Sequence, residues 1–258
     1  MNIIVNGKAV ELEEGSRALE AAKAHSPELY KAALVAHING ERMSLPTVLK
    51  EGDVVEILGW EHEDARWTLR HTGSHVLAQA VKRLYPETKL AIGPAIENGF
   101  YYDFDREKPF LQEDLDKIEA EMKKIVKEGL RLERFELPRA EAIAFMEEKD
   151  EPYKVELIND LPEDAVISFY KQGDFVDLCA GPHLPSTSGL KAFKLTSCTG
   201  AYWRGDSNRK MLQRIYATAF QKKEDLEAYL KQREEALKRD HNKLGRELEY
   251  FTTVDVIG

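Results

Sequence analysis

The stretch NIIVNGKAVEL, residues 2–12, determines the fold predicted for the first part of the chain. Apolar side chains flank the pair Asn6-Gly7 on both sides. An Asn-Gly pair between two apolar runs is typical of a β-hairpin with a two-residue turn, because both turn residues adopt positive φ. The sequence therefore predicts two short paired strands over residues 2–5 and 9–12.

The remainder of the first sixty residues extends this hairpin into a small mixed domain. A helix is expected from Arg17 to about His25, where Ser26-Pro27 ends it. Two further strands are predicted at 34–38 and 54–58. The order ββαββ in so few residues predicts a β-grasp module over 1–61, similar to ubiquitin, and none of its residues has a catalytic pattern.

A second domain is predicted over residues 62–221. It begins with a helix of about twenty residues that ends before Pro86. A hairpin around Asn98-Gly99 follows, and then an amphipathic helix with apolar residues spaced by three and four. Alternating apolar patterns and turn signals predict the remaining elements, which are strands at 130–136, 153–158, 165–170 and 174–178 and a short helix from Pro138 to Glu148. The pattern is that of a two-layer α+β domain.

The last part of the chain, residues 222–258, reads as a linker helix. Leucines and one phenylalanine recur every seven residues at Leu230, Leu237, Leu244 and Phe251. Such a seam favours packing against another part of a longer protein over a free coiled coil. Because the sequence stops at Gly258 soon after this helix, we expect the chain to be part of a longer protein.

Composition and charge limit which partners the protein is expected to bind and in which cellular compartment it is expected to lie. The net charge of −9 argues against nonspecific binding to DNA or to nucleic acid in bulk. Residues 191–214, however, hold six Lys or Arg and one Asp, which is a candidate phosphate-contact surface or simply a solvated loop. Two cysteines, no leader pattern and no long apolar run predict a cytoplasmic protein that does not bind membranes.

Two short-spaced pairs of residues carry the candidate chemistry. His71 and His75 are four apart on a predicted helix, so their side chains share one face. Cys179 and His183 lie on a loop, because Gly181-Pro182 between them is incompatible with a regular helix. Either pair alone is compatible with a purely structural role. Together, the four are expected to converge as metal ligands or as an acid–base cluster.

Several long strings of residues resemble those of bacterial threonyl-tRNA synthetases. HTGSHVLAQA, AIGPAIENGFYYDF, DLCAGPHLPSTSGLKAF, TGAYWRGD and LQRIYATAF are similar to the editing domain of that family. The first domain resembles the TGS domain of these enzymes, and RDHNKLGRELEYF resembles the helix that leads into their catalytic domain. The resemblance implies an N-terminal portion that lacks the aminoacylation and anticodon-binding domains.

The resemblance implies an aminoacyl-tRNA deacylase that hydrolyses Ser-tRNA(Thr) and spares Thr-tRNA(Thr). A binding pocket separates serine from threonine by only about 1–3 kcal/mol, so a second, hydrolytic site raises fidelity. His71 and Lys154 are expected to position and activate water, and His183 and Cys179 to shape the serine pocket and contact the terminal adenosine. Asp177 is expected to bind the serine ammonium or orient a neighbour. The remaining site residues implied are His75 and, as a possible part of the pocket or the core, Tyr102.

The resemblance also implies partners and cofactors. The acceptor end of tRNA(Thr) is the expected partner, with phosphate contacts from Lys191, Lys194, Arg204, Arg209 and Lys210. A metal-free editing site is favoured, although alanyl-tRNA synthetases use a similar set to hold zinc. If zinc is present, its ligands are His71, His75, Cys179 and His183.

A longer parent protein would use ATP, magnesium and a zinc ion of its catalytic domain, and it is expected to be a homodimer. For the present chain a monomer is possible. No Gly-rich phosphate loop follows a predicted strand, so this chain is not expected to activate threonine with ATP.

Two other classes of function stay open from the sequence. One is a free-standing zinc-dependent deacylase similar to the relatives of alanyl-tRNA synthetase that edit in trans. The other is a non-catalytic RNA-binding module in which the His and Cys residues hold a structural zinc ion. Zinc content separates the non-catalytic module from editing within a synthetase, because a structural site is stoichiometrically filled and removal of its zinc unfolds the domain.

Overall fold

A computed structural model describes residues 1–238, and its first unit is a five-stranded sheet. The strand order is β2-β1-β5-β3-β4, with β1 and β5 parallel and the other pairs antiparallel. Asn6 and Gly7 adopt positive φ between β1 and β2, as the hairpin prediction requires. The strands are β1 Asn2–Val5, β2 Lys8–Glu11, β3 Val35–Ile38, β4 Glu41–Met43 and β5 Val54–Leu58.

The predicted β-grasp is confirmed, with two elements that the sequence reading omitted. Helix α1, Ala18–His25, ends as expected before Ser26, but Ser26 then caps a second helix, α2, Pro27–Ala32. A Ser N-cap followed by Pro at the first helical position starts a helix as readily as it ends one. The short strand β4 completes a hairpin with β3 around another Asn-Gly pair, Asn39-Gly40.

The second unit is built around the long helix α3, Glu63–Leu84, which is buried over most of its length. It packs against α4, Gln112–Glu128, and against a second sheet in the order β12-β13-β8-β6, with β7 paired to β8. Of the predicted hairpin strand over 91–96, only Ala95–Ile96 forms strand β7, although Ala91, Ile92 and Pro94 also make backbone hydrogen bonds to β8. The strands are β6 Lys89–Leu90, β7 Ala95–Ile96, β8 Gly99–Asp105, β12 Ala192–Tyr202 and β13 Met211–Phe220.

A three-stranded antiparallel sheet, β11-β10-β9, forms the third layer together with two short helices. Its elements are β9 Leu132–Glu136, α5 Arg139–Glu148, α6 Pro152–Asp160, β10 Ser168–Gln172 and β11 Phe175–Leu178. The strand predicted over 153–158 is wrong, because that segment is helix α6. Pro152 stands at its start, and Lys154 and Ile158 are both buried four residues apart, which is helical spacing.

The first unit has a hydrophobic core of its own, and the main core of the second unit also extends into it. Leu34 and Val35 of the first unit belong to the same buried cluster as Ala65 and Leu69 of α3. The chain is therefore α+β, as predicted, and the start of α3 is packed against the first unit. The predicted boundary between 61 and 62 falls between the end of β5 and the start of α3.

The final described element is helix α7, Lys223–Lys238. It covers the first half of the predicted linker helix, including Leu230 and Leu237. Leu244, Phe251 and the string RDHNKLGRELEYF lie outside the described residues. Of the helices within residues 1–238, none has the length and apolar character required to cross a membrane.

Candidate active site

Helix α3 supplies two of the candidate residues from its buried face. His71 and His75 are one helical turn apart, with ring centroids separated by 5.3 Å, and their residues are 8% and 2% exposed. Trp67, one turn earlier on the same helix, lies 4.4 Å from the His71 ring. The i, i+4 spacing thus produces the shared face that the sequence predicts.

The loop after β11 supplies Cys179 and His183. Cys179 is tied to the sheet because its backbone N–H donates to the Ser168 carbonyl of β10. Gly181 has φ +81°, and a Cβ there would come within 2.3 Å of the Tyr170 hydroxyl. The loop therefore needs glycine at 181 to bring His183 inward, where it is fully buried.

The four side chains converge as predicted. One ligand atom from each of His71, His75, Cys179 and His183 lies within 4.8 Å of all the others. The Cys179 Sγ is 3.4 Å from His71 Nε2 and 3.2 Å from His183 Nε2. The His183 ring stacks on that of His71 at 4.2 Å.

Hydrogen bonds define the tautomers of two of these histidines. His71 Nδ1 is 3.3 Å from the Pro182 carbonyl, which can only accept, so Nδ1 carries the proton. Thr72 donates its hydroxyl to the Thr68 carbonyl, so His183 Nδ1 must donate to Thr72 Oγ1. The Nε2 lone pairs of His71 and His183 then both face the Cys179 thiol, which can donate its single hydrogen to only one of them. One imidazole can therefore accept a hydrogen bond from another donor.

A second group of buried polar side chains borders the first. The Lys154 ammonium lies 2.6 Å from Asp177 Oδ1 and donates to the Tyr102 hydroxyl at 3.0 Å. Tyr102 in turn donates to Asp177 Oδ2 at 2.6 Å. His75 Nε2 lies 3.8 Å from the same carboxylate oxygen, so the two groups meet there.

Burial controls the protonation of the histidines and the thiol. It lowers the pKa of His71 to about 3, and the neighbouring His75 adds to that effect. Burial also lowers the pKa of His75 to about 4, although Asp177 opposes the shift. The pKa of His183 is lowered well below its usual range for the same reason, and burial raises the pKa of Cys179 to about 12. The four groups are therefore neutral at physiological pH.

Asp177 stays ionised despite complete burial. Desolvation alone would raise the pKa of this carboxyl. The pKa is nevertheless below its usual value, because Lys154 and His75 attract the carboxylate and because Lys154 and Tyr102 donate hydrogen bonds to it. Burial raises the pKa of Tyr102 well above its usual value, and Asp177 reinforces that shift. The site therefore pairs a neutral histidine cluster with one buried ion pair.

The neutral histidines make stability sensitive to acid. Their folded pKa values lie below the unfolded value of about 6.5, so the unfolded chain binds more protons below that pH. At pH 5.5 each of His71 and His75 should remove about 1.4 kcal/mol of stability relative to pH 7.5. We expect the thermal midpoint to fall by roughly 6–12 °C between these pH values.

The measurement is thermal unfolding at pH 7.5 and 5.5 in the presence of EDTA, which removes any contribution from metal loss. His62→Asn serves as the control variant, because it removes a histidine that is exposed and lies outside the buried cluster. Equal midpoints at the two pH values would contradict the buried neutral state.

The structure corrects the setting of Lys154 and Tyr102. Lys154 lies on helix α6 and not on the predicted strand over 153–158, and the residue is only 3% exposed. Tyr102 is part of the core and is fully buried, but its hydroxyl points to the Lys154–Asp177 pair. It therefore belongs to both the core and the site.

The basic segment 191–214 is largely neutralised by acidic residues from elsewhere in the chain. Lys194 pairs with Glu119, Lys210 with Asp105 and Arg209 with Glu156, while Arg204 contacts Glu156 and Asp160. Lys191 is exposed and has no acidic partner within residues 1–238. The net positive charge of this surface is therefore smaller than the count of basic residues in the segment suggests. Phosphate contact by these residues stays a prediction.

Three neighbours of the site were missed by the sequence reading. Thr72 orients His183 and also accepts from the Leu184 backbone N–H at 3.0 Å. The Tyr170 ring packs edge-on against His183 at 4.5 Å, and Trp67 covers His71. Thr72 could have been found, since it directly follows His71. The contact with Tyr170 depends on strand pairing that no local spacing reveals.

The residues also fit a zinc ion. Cysteine and histidine are the usual zinc ligands, and the two S–N separations of 3.2–3.4 Å are near the edge of a tetrahedron around zinc, while all four ligand atoms lie within 4.8 Å of one another. The Nδ1–H of His71 donates to a carbonyl, which is the orientation usual for a metal-binding histidine. With three of these residues as ligands and the fourth position open to water, such an ion would act as a Lewis acid and would lower the pKa of the bound water.

Two family models match the chain. The TGS domain matches residues 3–59, and the threonyl and alanyl tRNA synthetase second additional domain matches residues 167–216. The second match includes Asp177, Cys179 and His183. The fold and site thus define a TGS domain joined to the second additional domain that these two classes of synthetase share.

The curated relatives that the chain resembles are of one kind. Threonine–tRNA ligases of Clostridium tetani (strain Massachusetts / E88) and Clostridium botulinum (strain Hall) are 64% identical to this chain over 247 residues, and that of Clostridium acetobutylicum is 62% identical. Each alignment covers 96% of this chain and 39% of the relative. The predicted similarity to threonyl-tRNA synthetases is confirmed, and the chain spans about two fifths of the length of these relatives.

Proposed function

We propose that this chain edits tRNA by hydrolysing the ester of serine on tRNA(Thr) while sparing threonine. The observation that carries the proposal is the buried set of three neutral histidines and one thiol beside the Lys154–Asp177 ion pair. Three of its residues, Asp177, Cys179 and His183, lie in the stretch that matches the domain shared by threonyl- and alanyl-tRNA synthetases. Aminoacylation with ATP and magnesium, and a homodimeric state, belong to the same proposal for a longer parent protein.

The proposed reaction is attack of water on the ester carbonyl. His71 accepts a proton from the water through Nε2, and the hydroxide oxygen bonds to the carbonyl carbon. Lys154 stabilises the negative charge that develops on the carbonyl oxygen. When the carbon–oxygen bond to the ribose breaks, the proton passes from His71 to the ribose oxygen, which leaves free serine and an intact tRNA end.

Asp177 has a positioning role in this proposal. Its carboxylate already accepts from Tyr102 and pairs with Lys154, and it lies within 3.8 Å of His75. These contacts favour orientation of neighbours over the alternative of binding the serine ammonium. Cys179 shapes the serine pocket and contacts the terminal adenosine, while His183, which is fully buried, holds the thiol from behind. Threonine is excluded because its extra methyl group finds no room.

The proposed hydrolysis is metal-free. The buried Lys154 ammonium already supplies positive charge beside the cluster. A zinc dication in the cluster would be repelled by this ammonium, and Asp177 is the one carboxylate among the site residues that could offset both charges. The competing function is a zinc-dependent deacylase, which the fit of the Cys179 and histidine geometry favours.

Replacing Cys179 with alanine separates these two mechanisms. In a metal-free site the thiol mainly sets pocket shape, so we expect Cys179→Ala to keep partial activity and to lose discrimination between serine and threonine. The measurement is single-turnover deacylation of both esters beside metal analysis of the parent and the variant. Cys198→Ala is the matched control, because Cys198 lies outside the cluster. Stoichiometric zinc in the parent, lost with all activity in Cys179→Ala, would contradict the metal-free site.

The first test of the function is release of serine from Ser-tRNA(Thr) with the chain in excess. High concentrations compensate for tRNA contacts that a longer parent protein would add. We expect serine release well above the rate of spontaneous hydrolysis. A well-folded chain that releases serine no faster than buffer would sink the proposal and favour a non-catalytic RNA-binding module.

A further inference from the structure

Ser44, in the first unit, contacts the loop that carries His183. It directly follows β4, and its hydroxyl accepts from the His183 backbone N–H at 3.1 Å. The same hydroxyl shares a hydrogen bond with the Tyr170 hydroxyl, also at 3.1 Å. Ser44 is thus bound to two residues that lie more than a hundred positions away in sequence and that pack on each other.

The loop that Ser44 contacts holds two of the site's imidazoles. The Pro182 carbonyl accepts from His71 Nδ1, and His183 contributes the Nε2 that lies 3.2 Å from the Cys179 thiol. Gly181 packs directly against the Tyr170 hydroxyl, so the loop has little space in which to move on that side. A displacement of residues 181–183 would therefore shift both imidazoles relative to the thiol.

The first unit is fixed to α3 by further contacts. Asp64, in the first turn of α3, accepts from Arg42 at 2.8 Å and lies 2.8 Å from His37 Nε2. The Arg42 guanidinium lies 4.1 Å above the Trp67 ring, which covers His71. These contacts hold the β3–β4 hairpin in place, so Ser44 presents its hydroxyl from a well-supported element.

We propose that Ser44 is a positioning residue for the ester hydrolysis: by holding loop 181–183, it sets the geometry of the two imidazoles on which the reaction depends. The first unit then completes the editing site in addition to any contact it makes with RNA. This inference rests on the proposed function. Loss of one hydrogen bond that orients reacting groups should slow the chemical step about tenfold.

The test is single-turnover hydrolysis of Ser-tRNA(Thr) by the whole chain with Ser44→Ala, Ser44→Thr and Ser16→Ala. Ser44→Ala should slow the limiting rate about tenfold without changing the concentration of chain that gives half of that rate. Ser44→Thr keeps the hydroxyl and should restore most of the rate. Ser16→Ala is the matched control, because the Ser16 hydroxyl makes no hydrogen bond within the described residues, and it should behave as the parent.

A second measurement separates this inference from the proposed function. The imidazole NMR signals of His183 and His71 should shift in Ser44→Ala and stay unchanged in Ser16→Ala, whether or not the chain is active. Unchanged signals, an unchanged rate in Ser44→Ala, or an equal loss in Ser44→Thr would overturn the role of Ser44. A parent that hydrolyses no seryl ester, with the His183 shift present, would overturn the proposed function and the role of Ser44 in hydrolysis, and would leave established only that Ser44 positions the His183 imidazole.

Discussion

Lys154→Met should abolish ester hydrolysis and also destabilise the fold. The ammonium is 3% exposed and provides the positive charge that the developing oxyanion needs, so its loss should slow hydrolysis by about 10²–10⁴-fold. Its removal also leaves the buried carboxylate of Asp177 without its cation. Breaking a buried ion pair in this way commonly costs about 3–5 kcal/mol. The measurements are single-turnover deacylation and the free energy of unfolding.

Two controls separate catalysis from stability. Lys171→Met removes an exposed lysine from neighbouring strand β10 and should change stability by less than about 0.5 kcal/mol. The double variant Lys154→Met with Asp177→Asn removes both buried charges and should recover stability without recovering hydrolysis. A Lys154→Met chain that hydrolyses the seryl ester at the parent's rate would exclude Lys154 from the reaction.

His71→Ala should slow hydrolysis by about 10²–10⁴-fold with a much smaller effect on unfolding. His71 is the imidazole whose tautomer is set by the Pro182 carbonyl, and its Nε2 faces the interior of the cluster. A neutral side chain is removed here, so no buried charge is left uncompensated. The limiting single-turnover rate should fall, while the stability change stays within the range of ordinary side-chain truncation.

The matched control for His71 is His62→Asn, at the N-cap of the same helix. The His62 side chain accepts from the Asp64 backbone N–H, and asparagine can also cap that end. We expect His62→Asn to retain the parent's rate. If His71→Ala hydrolyses the ester as fast as His62→Asn, another group removes the proton from water.

Much of the fold could be predicted because its signals are local. The Asn6-Gly7 turn specifies the first hairpin, and the spacing of apolar residues from Leu111 to Ile125 specifies α4. Helix α6 was misassigned because tyrosine, valine and isoleucine favour strands in isolation, whereas Pro152 and the burial of one helical face decide otherwise. Propensity is overridden there by packing against the rest of the domain.

The candidate site could be predicted in part for the same reason. His71 and His75 share a face by helical spacing, and Cys179 and His183 form a second close pair on a loop. The burial of Lys154 against Asp177 was not predictable from spacing, since the two lie on different elements that meet only after folding. Ser44 carried no signal at all, because its hydrogen bond to His183 spans 139 residues of sequence.

The ratio of single-turnover rates for Ser-tRNA(Thr) and Thr-tRNA(Thr) tests the central proposal most directly. With the chain in excess and matched tRNA preparations, the seryl ester should be hydrolysed at least about tenfold faster, since one methyl group discriminates by about 1–3 kcal/mol in a close-fitting pocket. The Lys154→Met chain should hydrolyse neither ester above the spontaneous rate. Equal rates for the two esters in the parent chain would contradict the account of an editing site that selects serine.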